Sequence, residues 1–376
     1  MPSKIFEPLR IGRITLNHRV VMAPLTRLRA NNSHVPEPMS AEYYAQRASV
    51  PGTFLIAEAT LISARGGGGS HAPGLYTDEQ VRGWKQITDA VHAKGSYIFC
   101  QLVALGRAAD PETLKRETGL EVRAPSSIAM ENGGNTPECL TDNEIWNLVQ
   151  DFASAAKRAM EAGFDGVEIH GANGYLVDQF LHENSNDRTD QWGGSIAKRA
   201  KFGLEVAKAV VQAVGPDRVG FRLSPWNTWQ GMDATDPVPL FCYLIKHVKE
   251  IGLAYLHLIE SRVLNNVDCE SAGNIMPFME EWGSAKPVLV AGGYNQDNFA
   301  QALERDYKNY NVGVVFGRYF LANPDLPFRL RHGIPLQKYD RSTFYAVMES
   351  RGYTDYPFSP EFEQNRRDNG NRAPLL

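Results

Sequence analysis

Apolar residues along this chain fall into two alternating patterns. Short runs dense in β-branched and aromatic residues recur at positions 19–22, 54–57, 97–102, 166–169, 219–223, 255–259, 288–291 and 312–316. Between most of them lie longer stretches with apolar residues every three or four positions, the spacing of one helix face. Alternation of strand and helix implies a parallel sheet. Eight such units predict an α/β protein, a single (β/α)8 TIM barrel spanning 1–376.

Helix boundaries carry their own signals. Thr77-Asp78-Glu79-Gln80 has the form of a capping box, followed by Val81, Trp84, Ile87 and Val91, with Gly95 at the stop. Thr141-Asp142-Asn143-Glu144 repeats the device ahead of Ile145, Leu148, Phe152, Ala156 and Ala159, with Gly163 at the stop. A third helix is expected over about 195–214. Ahead of the first run, Phe6 to Leu16 reads as a β-hairpin able to plug the barrel's N-terminal end. The long loop after strand 3, 106–140, lacks periodicity and reads as a partial lid. The polar stretch 361–376 is expected to fray.

Composition narrows the class. The 376 residues are 43% hydrophobic, and 39 Lys and Arg face 43 Asp and Glu for a net charge of −4. No basic block suggests nucleic acid, and no apolar run approaches the length that spans a bilayer. The cysteines Cys100, Cys139, Cys242 and Cys269 show no CxxC pairing and read as free thiols. With no secretory signal at the N-terminus, a cytoplasmic protein, monomer or homodimer, is expected.

A TIM barrel presents its active site at the C-terminal ends of its strands. The residues expected there are Pro24 and Thr26, Gln101, then His170, Asn173 and Tyr175, then Arg222, Gly292 and Gly293, Gly317 and Arg318. His170 and Asn173 can both donate to one oxygen, and Tyr175 carries a phenolic proton. Such a set polarises a carbonyl and protonates a nearby carbon; alternatively, these polar groups only satisfy a strand-end loop. Glycines and an arginine after the last two strands suit a phosphate, or else form tight turns. Arg222 in a barrel mouth needs an anion, from a ligand or from a structural ion pair. Glu168, His170 and His257 offer a competing metal-hydrolase reading, although Glu168 also suits a core carboxylate. Gly66-Gly67-Gly68-Gly69 matches no phosphate-loop register and reads as a flexible loop. No lysine falls at a strand end, against Schiff-base chemistry.

Several longer stretches resemble the old yellow enzyme family of flavin-dependent ene-reductases. They are Ala23-Pro24-Leu25-Thr26-Arg27, His170-Gly171-Ala172-Asn173-Gly174-Tyr175-Leu176, Ser185-Asn186-Asp187-Arg188-Thr189-Asp190-Gln191-Trp192-Gly193-Gly194-Ser195 and Phe316-Gly317-Arg318-Tyr319-Phe320. Lys338-Tyr339-Asp340-Arg341 adds to them. The resemblance covers about 5–357. Two further stretches, 46–53 and 323–329, resemble fungal members, some of which reduce an aldehyde intermediate in ergot alkaloid synthesis. The resemblance implies bound FMN, with NADPH or NADH as reductant, and enones or enals as substrates. It places Pro24, Thr26, Ala59, Gln101 and Arg222 against the flavin, and Gly292, Gly293, Gly317 and Arg318 at its phosphate. His170 and Asn173 would grip the substrate carbonyl, Tyr175 would protonate the α-carbon, and Tyr345 would line the pocket. The implied cycle is ping-pong, hydride passing from nicotinamide through FMN N5 to the β-carbon. Valine at position 103 replaces a tryptophan common in the family, which implies a roomier substrate pocket there. Ala59 stands in for a glycine and Gly171 for a serine.

Overall fold

Among the described residues, fourteen strands occur in chain order: β1 (Leu9–Ile11), β2 (Ile14–Leu16), β3 (Val20–Met22), β4 (Phe54–Leu61), β5 (Tyr97–Val103), β6 (Arg123–Ala124) and β7 (Glu138–Cys139). They continue as β8 (Gly166–Gly171), β9 (Val219–Leu223), β10 (Tyr255–Ile259), β11 (Val263–Leu264), β12 (Val267–Asp268), β13 (Val288–Ala291) and β14 (Val312–Phe316). Eight of them close in the order β3-β4-β5-β8-β9-β10-β13-β14, with every neighbouring pair parallel. The chain therefore forms the expected (β/α)8 barrel, and each barrel strand matches an apolar run of the sequence to within a few residues. This computed structural model describes residues 4–130, 134–232, 235–264, 267–268 and 273–370.

The expected helices form. Both capping boxes are complete: Thr77 and Gln80 open Asp78–His92, and Thr141 and Glu144 open Asp142–Glu161. Ile145, Val149, Phe152 and Ala156 line the buried face of the second helix. Each large apolar side chain buried in this way contributes about 1.5–3 kcal/mol. The third helix runs Ile196–Val214. Strands β1 and β2 pair antiparallel, Leu9 opposite Leu16, and Leu9, Ile11 and Leu16 pack against Phe54, Phe99, Tyr255 and Leu289. Phe54 and Tyr255 begin their strands, so the hairpin plugs the N-terminal end of the barrel and leaves the other end to the ligand.

Three loop expectations change. The 106–140 segment carries a helix, Pro111–Thr118, capped by Asp110, and the β6–β7 pair. Its described residues pack beside the barrel and none lines the mouth, so it is not the lid expected. The glycine run is close-packed: Gly66 and Gly68 carbonyls accept from Leu105 and Asp110 amides, and a Cβ at Gly68 would meet Ala109 Cβ at 2.8 Å. The tail is helical over Pro360–Gly370. Ser359 caps its first turn and Phe362 buries against Phe328, which offsets the polar composition. Positions 371–376 lie outside the described residues. Cys100, Cys139 and Cys242 are free thiols; Cys269 lies outside the described residues. Among the described residues no helix is long and apolar enough to cross a membrane.

Candidate active site

Strand register builds the floor of the site. Gln101 stands opposite Glu168 on neighbouring strands, and His170 opposite Arg222, which in turn stands opposite His257. These are positions on a barrel interior, where a polar group needs a partner. Glu168, fully buried, accepts hydrogen bonds from Gln101 Nε2 (2.7 Å), Tyr255 Oη (3.0 Å) and His257 Nδ1 (2.9 Å). Burial alone would push its carboxyl up; His257, Arg222 and Gln101 outweigh that and hold it below the usual carboxylate range. His257 is pushed down by burial and Arg222, so it stands neutral and donates. Glu168 is thus a core carboxylate that anchors Gln101 and neutralises Arg222. Glu168 and His257 spend their facing atoms on each other, and the described residues contain no cluster of three or more side chains able to hold a metal. The competing metal reading finds no support in this geometry.

Above this floor opens a cavity of about 830 Å³, within the range of small-molecule and cofactor sites. Pro24, Thr26, Ala59, Gln101, His170, Asn173, Tyr175 and Arg222 all line it, as do Gly292, Gly293, Gly317, Arg318 and Tyr345. Val103 does not. It is buried with Leu61 and Ala72 in an apolar cluster against which Tyr175 also packs.

His170, Asn173 and Tyr175 sit where β8 passes into its helix. His170 is 3% exposed. Burial, with Arg222 and His257 beside it, holds its pKa well below the usual histidine value, so the imidazole is neutral. Asn173 adopts a left-handed backbone (φ +58°), a conformation Asn tolerates better than most residues. Tyr175 ends the turn, at the position just before the helix Leu176–Leu181. Burial, then the neighbouring Tyr345, push its phenol pKa up, so it stays protonated at neutral pH.

At the opposite wall, Gly292 has φ +137° and Gly293 φ +65°. A Cβ on Gly292 would meet Glu260 Cβ at 2.9 Å. Only glycine fits there, and bare backbone can approach a ligand closely. Arg318 flanks this wall, its guanidinium over the Tyr339 ring at 5.4 Å. Two buried polar atoms in the cavity residues, His170 Nδ1 and Arg222 Nε, have no hydrogen-bond partner. Buried polar groups are usually paired, so these two atoms fit a polar ligand in the cavity.

Residues 4–337 match the model of the NADH:flavin oxidoreductase / NADH oxidase family.

The chain belongs to this family.

Curated relatives of this flavin oxidoreductase include a chanoclavine-I aldehyde reductase of Penicillium roqueforti, 52% identical over 96% of this chain and 98% of that protein. An aldehyde reductase of a Cladobotryum species is 50% identical over 96% of each chain. A probable inactive reductase of Epichloe festucae var. lolii is 49% identical, again over 96% of each. The crystal structure of old yellow enzyme from a Pichia species superposes with a TM-score of 0.87 at 38% identity, covering 95% of this chain and 94% of that one. The flavin oxidoreductase is therefore of old yellow enzyme type, with FMN as its cofactor and NAD(P)H as reductant. The cavity fits that group: a glycine wall and Arg318 suit its phosphate, while Arg222, Gln101 and Thr26 offer polar contacts to a flat ring.

Sequence reasoning missed several lining residues of this oxidoreductase: Asn227, Trp229, Arg262, Tyr294 and Asn298. They lie in the loops after β9, β10 and β13, beyond the strand ends that the barrel rule singles out. Their only signal was the density of polar and aromatic residues in 226–230.

Proposed function

We propose that this chain reduces the C=C bond of α,β-unsaturated aldehydes and ketones, with NADPH or NADH as the electron source, in a ping-pong cycle. One observation carries the reading: a neutral imidazole, a carboxamide and a protonated phenol converge on one wall of a cavity built for a flavin. The chemistry FMN supplies when bound is hydride exchange between nicotinamide and substrate. Gly292, Gly293, Gly317 and Arg318 would hold its phosphate, and Pro24, Thr26, Ala59, Gln101 and Arg222 its ring.

The side chains supply the rest. His170 and Asn173 donate to the substrate carbonyl oxygen, where negative charge gathers as hydride reaches the β-carbon. One donor of this kind contributes about 3–4 kcal/mol to the transition state. Tyr175 then gives its proton to the α-carbon. Burial keeps that proton in place at neutral pH, and the same apolar packing keeps water from supplying it instead. The phenolic donor favours net reduction over double-bond isomerisation, which would return the hydrogen rather than retain it.

The names of two curated relatives, a chanoclavine-I aldehyde reductase and an aldehyde reductase, point within this class to an aldehyde with a ring system. Trp229, Phe344 and Tyr345 line the cavity and give an aromatic rim suited to such a ring system. Anaerobic turnover of FMN-loaded protein with NADPH and cinnamaldehyde tests the reading. Expected is the saturated aldehyde. Failure to take up FMN, or no turnover across a panel of enals and enones, would sink it.

A further inference from the structure

Beyond β9 the chain makes a polar turn over 224–231 whose side chains are committed to a different loop. Asn173 N donates to Ser224 Oγ (2.8 Å), Asn227 Nδ2 donates to Asn173 Oδ1 (3.3 Å), and Gln230 Nε2 donates to Asn173 O (2.9 Å). The Gln230 carboxamide also neighbours the Tyr175 hydroxyl and acts on it in the sense that lowers the phenol pKa. Gln230 itself is held in place. Its carbonyl accepts from Arg107 (3.0 Å), and its Cβ lies so near Gly174 that a Cβ there would approach to 2.6 Å. Both Asn173 (φ +58°) and Gln230 (φ +61°) occupy the left-handed region. A glutamine rarely does so, and such backbone persists only where its surroundings impose it.

We propose that Asn227 and Gln230 are positioning residues for the reaction: Asn227 turns the Asn173 carboxamide so that its NH2 faces the substrate oxygen, and Gln230 fixes the Tyr175 hydroxyl so that its single proton points at the substrate carbon. The proposal rests on the ene-reductase reading above. Its logic is donor and acceptor arithmetic. With Oδ1 occupied by Asn227, the Asn173 carboxamide keeps only donors for the cavity. A phenol has one proton, so an oxygen that accepts from Gln230 leaves that proton for the substrate. When the Tyr175 O–H bond breaks and the α-C–H bond forms, the phenolate keeps the Gln230 donor. It regains a proton from solvent after product leaves. The hydrogen bond acts in the same sense on the free enzyme, lowering the phenol pKa against burial. The other groups facing Tyr175 are Tyr345, Arg222 and the His170 ring.

The FMN-loaded variants Asn227→Ala and Gln230→Leu test the two halves separately, with cyclohexenone as substrate and para-hydroxybenzaldehyde as a non-reacting carbonyl-site probe. Asn227→Ala is expected to weaken binding of the probe about tenfold, read by spectral titration, and to raise KM more than it lowers kcat. Gln230→Leu is expected to lower kcat about tenfold with little change in KM, and to shift the alkaline limb of the pH–rate profile upward. Melting temperature and FMN content are measured alongside. Equal losses in kcat and KM with an unmoved pH limb, or no loss at all, would overturn the proposal. Should Gln230→Leu fail to fold, Gln230→Met, closer in length, is read on the same axes. Should the wild type reduce no alkene, the function reading falls, and the probe titration of Asn227→Ala still decides the Asn227 assignment.

Discussion

His170 and Tyr175 meet edge to face, their ring centroids 5.0 Å apart and their planes at 62°. The contact sets the proposed oxygen anchor against the proposed proton donor, and single substitutions can separate the two roles. Tyr175→Phe keeps the ring and removes the proton. Reduction of an enone should fall by roughly 100-fold or more, while reduction of the flavin by NADPH stays near the wild-type rate. Stopped-flow measurement of each half-reaction checks this; equal loss in both would remove Tyr175 from the donor role.

His170 should act as a neutral donor across the working pH range. Burial, Arg222 and His257 all hold its pKa well below the ordinary value. Affinity for para-hydroxybenzaldehyde should therefore show no histidine inflection between about pH 6 and 8. In His170→Ala the same affinity should drop by roughly 10- to 100-fold, the range for hydrogen bonds to a charged oxygen. An unchanged dissociation constant would refute the anchor role.

The glycine wall should be intolerant of any side chain. Gly292→Ala places a Cβ 2.9 Å from Glu260 Cβ and strains a backbone at φ +137°. The expected result is FMN binding weakened by at least about tenfold, read as free flavin fluorescence on dilution. Retention equal to the wild type would show that the wall shifts at little cost and is no phosphate cradle.

Acid should cost this protein stability through a histidine far from the site. His18 is buried and its pKa falls to about 4, from burial first and then the Arg331 charge. The Val20 amide donates to Nδ1, and Nε2 lies 3.0 Å from Thr53 Oγ1, a pairing that suits the neutral ring. The unfolded chain takes up this proton near pH 6.5, whereas the folded one waits until about pH 4. Stability is thus complete above pH 6.5 and is lost as pH falls through that window, about 2 kcal/mol of it by pH 5. His18→Gln cannot titrate, so its denaturation midpoint should fall less than the wild type's between pH 7 and pH 5. Parallel losses in urea titrations of the two proteins would contradict the assignment.

What the chain reveals by itself is set by local physics. Eight apolar runs and their capping boxes dictate strands and helices from neighbours a few residues apart. Strand ends such as His170, Arg222 and Gly317 then follow from the barrel rule, and they do line one cavity. The tertiary structure alone decided which loops matter. Nothing local tells that Asn227 and Gln230 reach across to Asn173, or that Val103 packs with Leu61, Ala72 and Tyr175 rather than lining the cavity. The 106–140 segment, aperiodic and therefore suspect as a lid, folds beside the barrel because Asp110 caps a helix there and Gly68 packs against Ala109. Contacts between loops depend on barrel closure, which brings residues more than fifty positions apart within hydrogen-bond reach, and no short-range pattern encodes that distance.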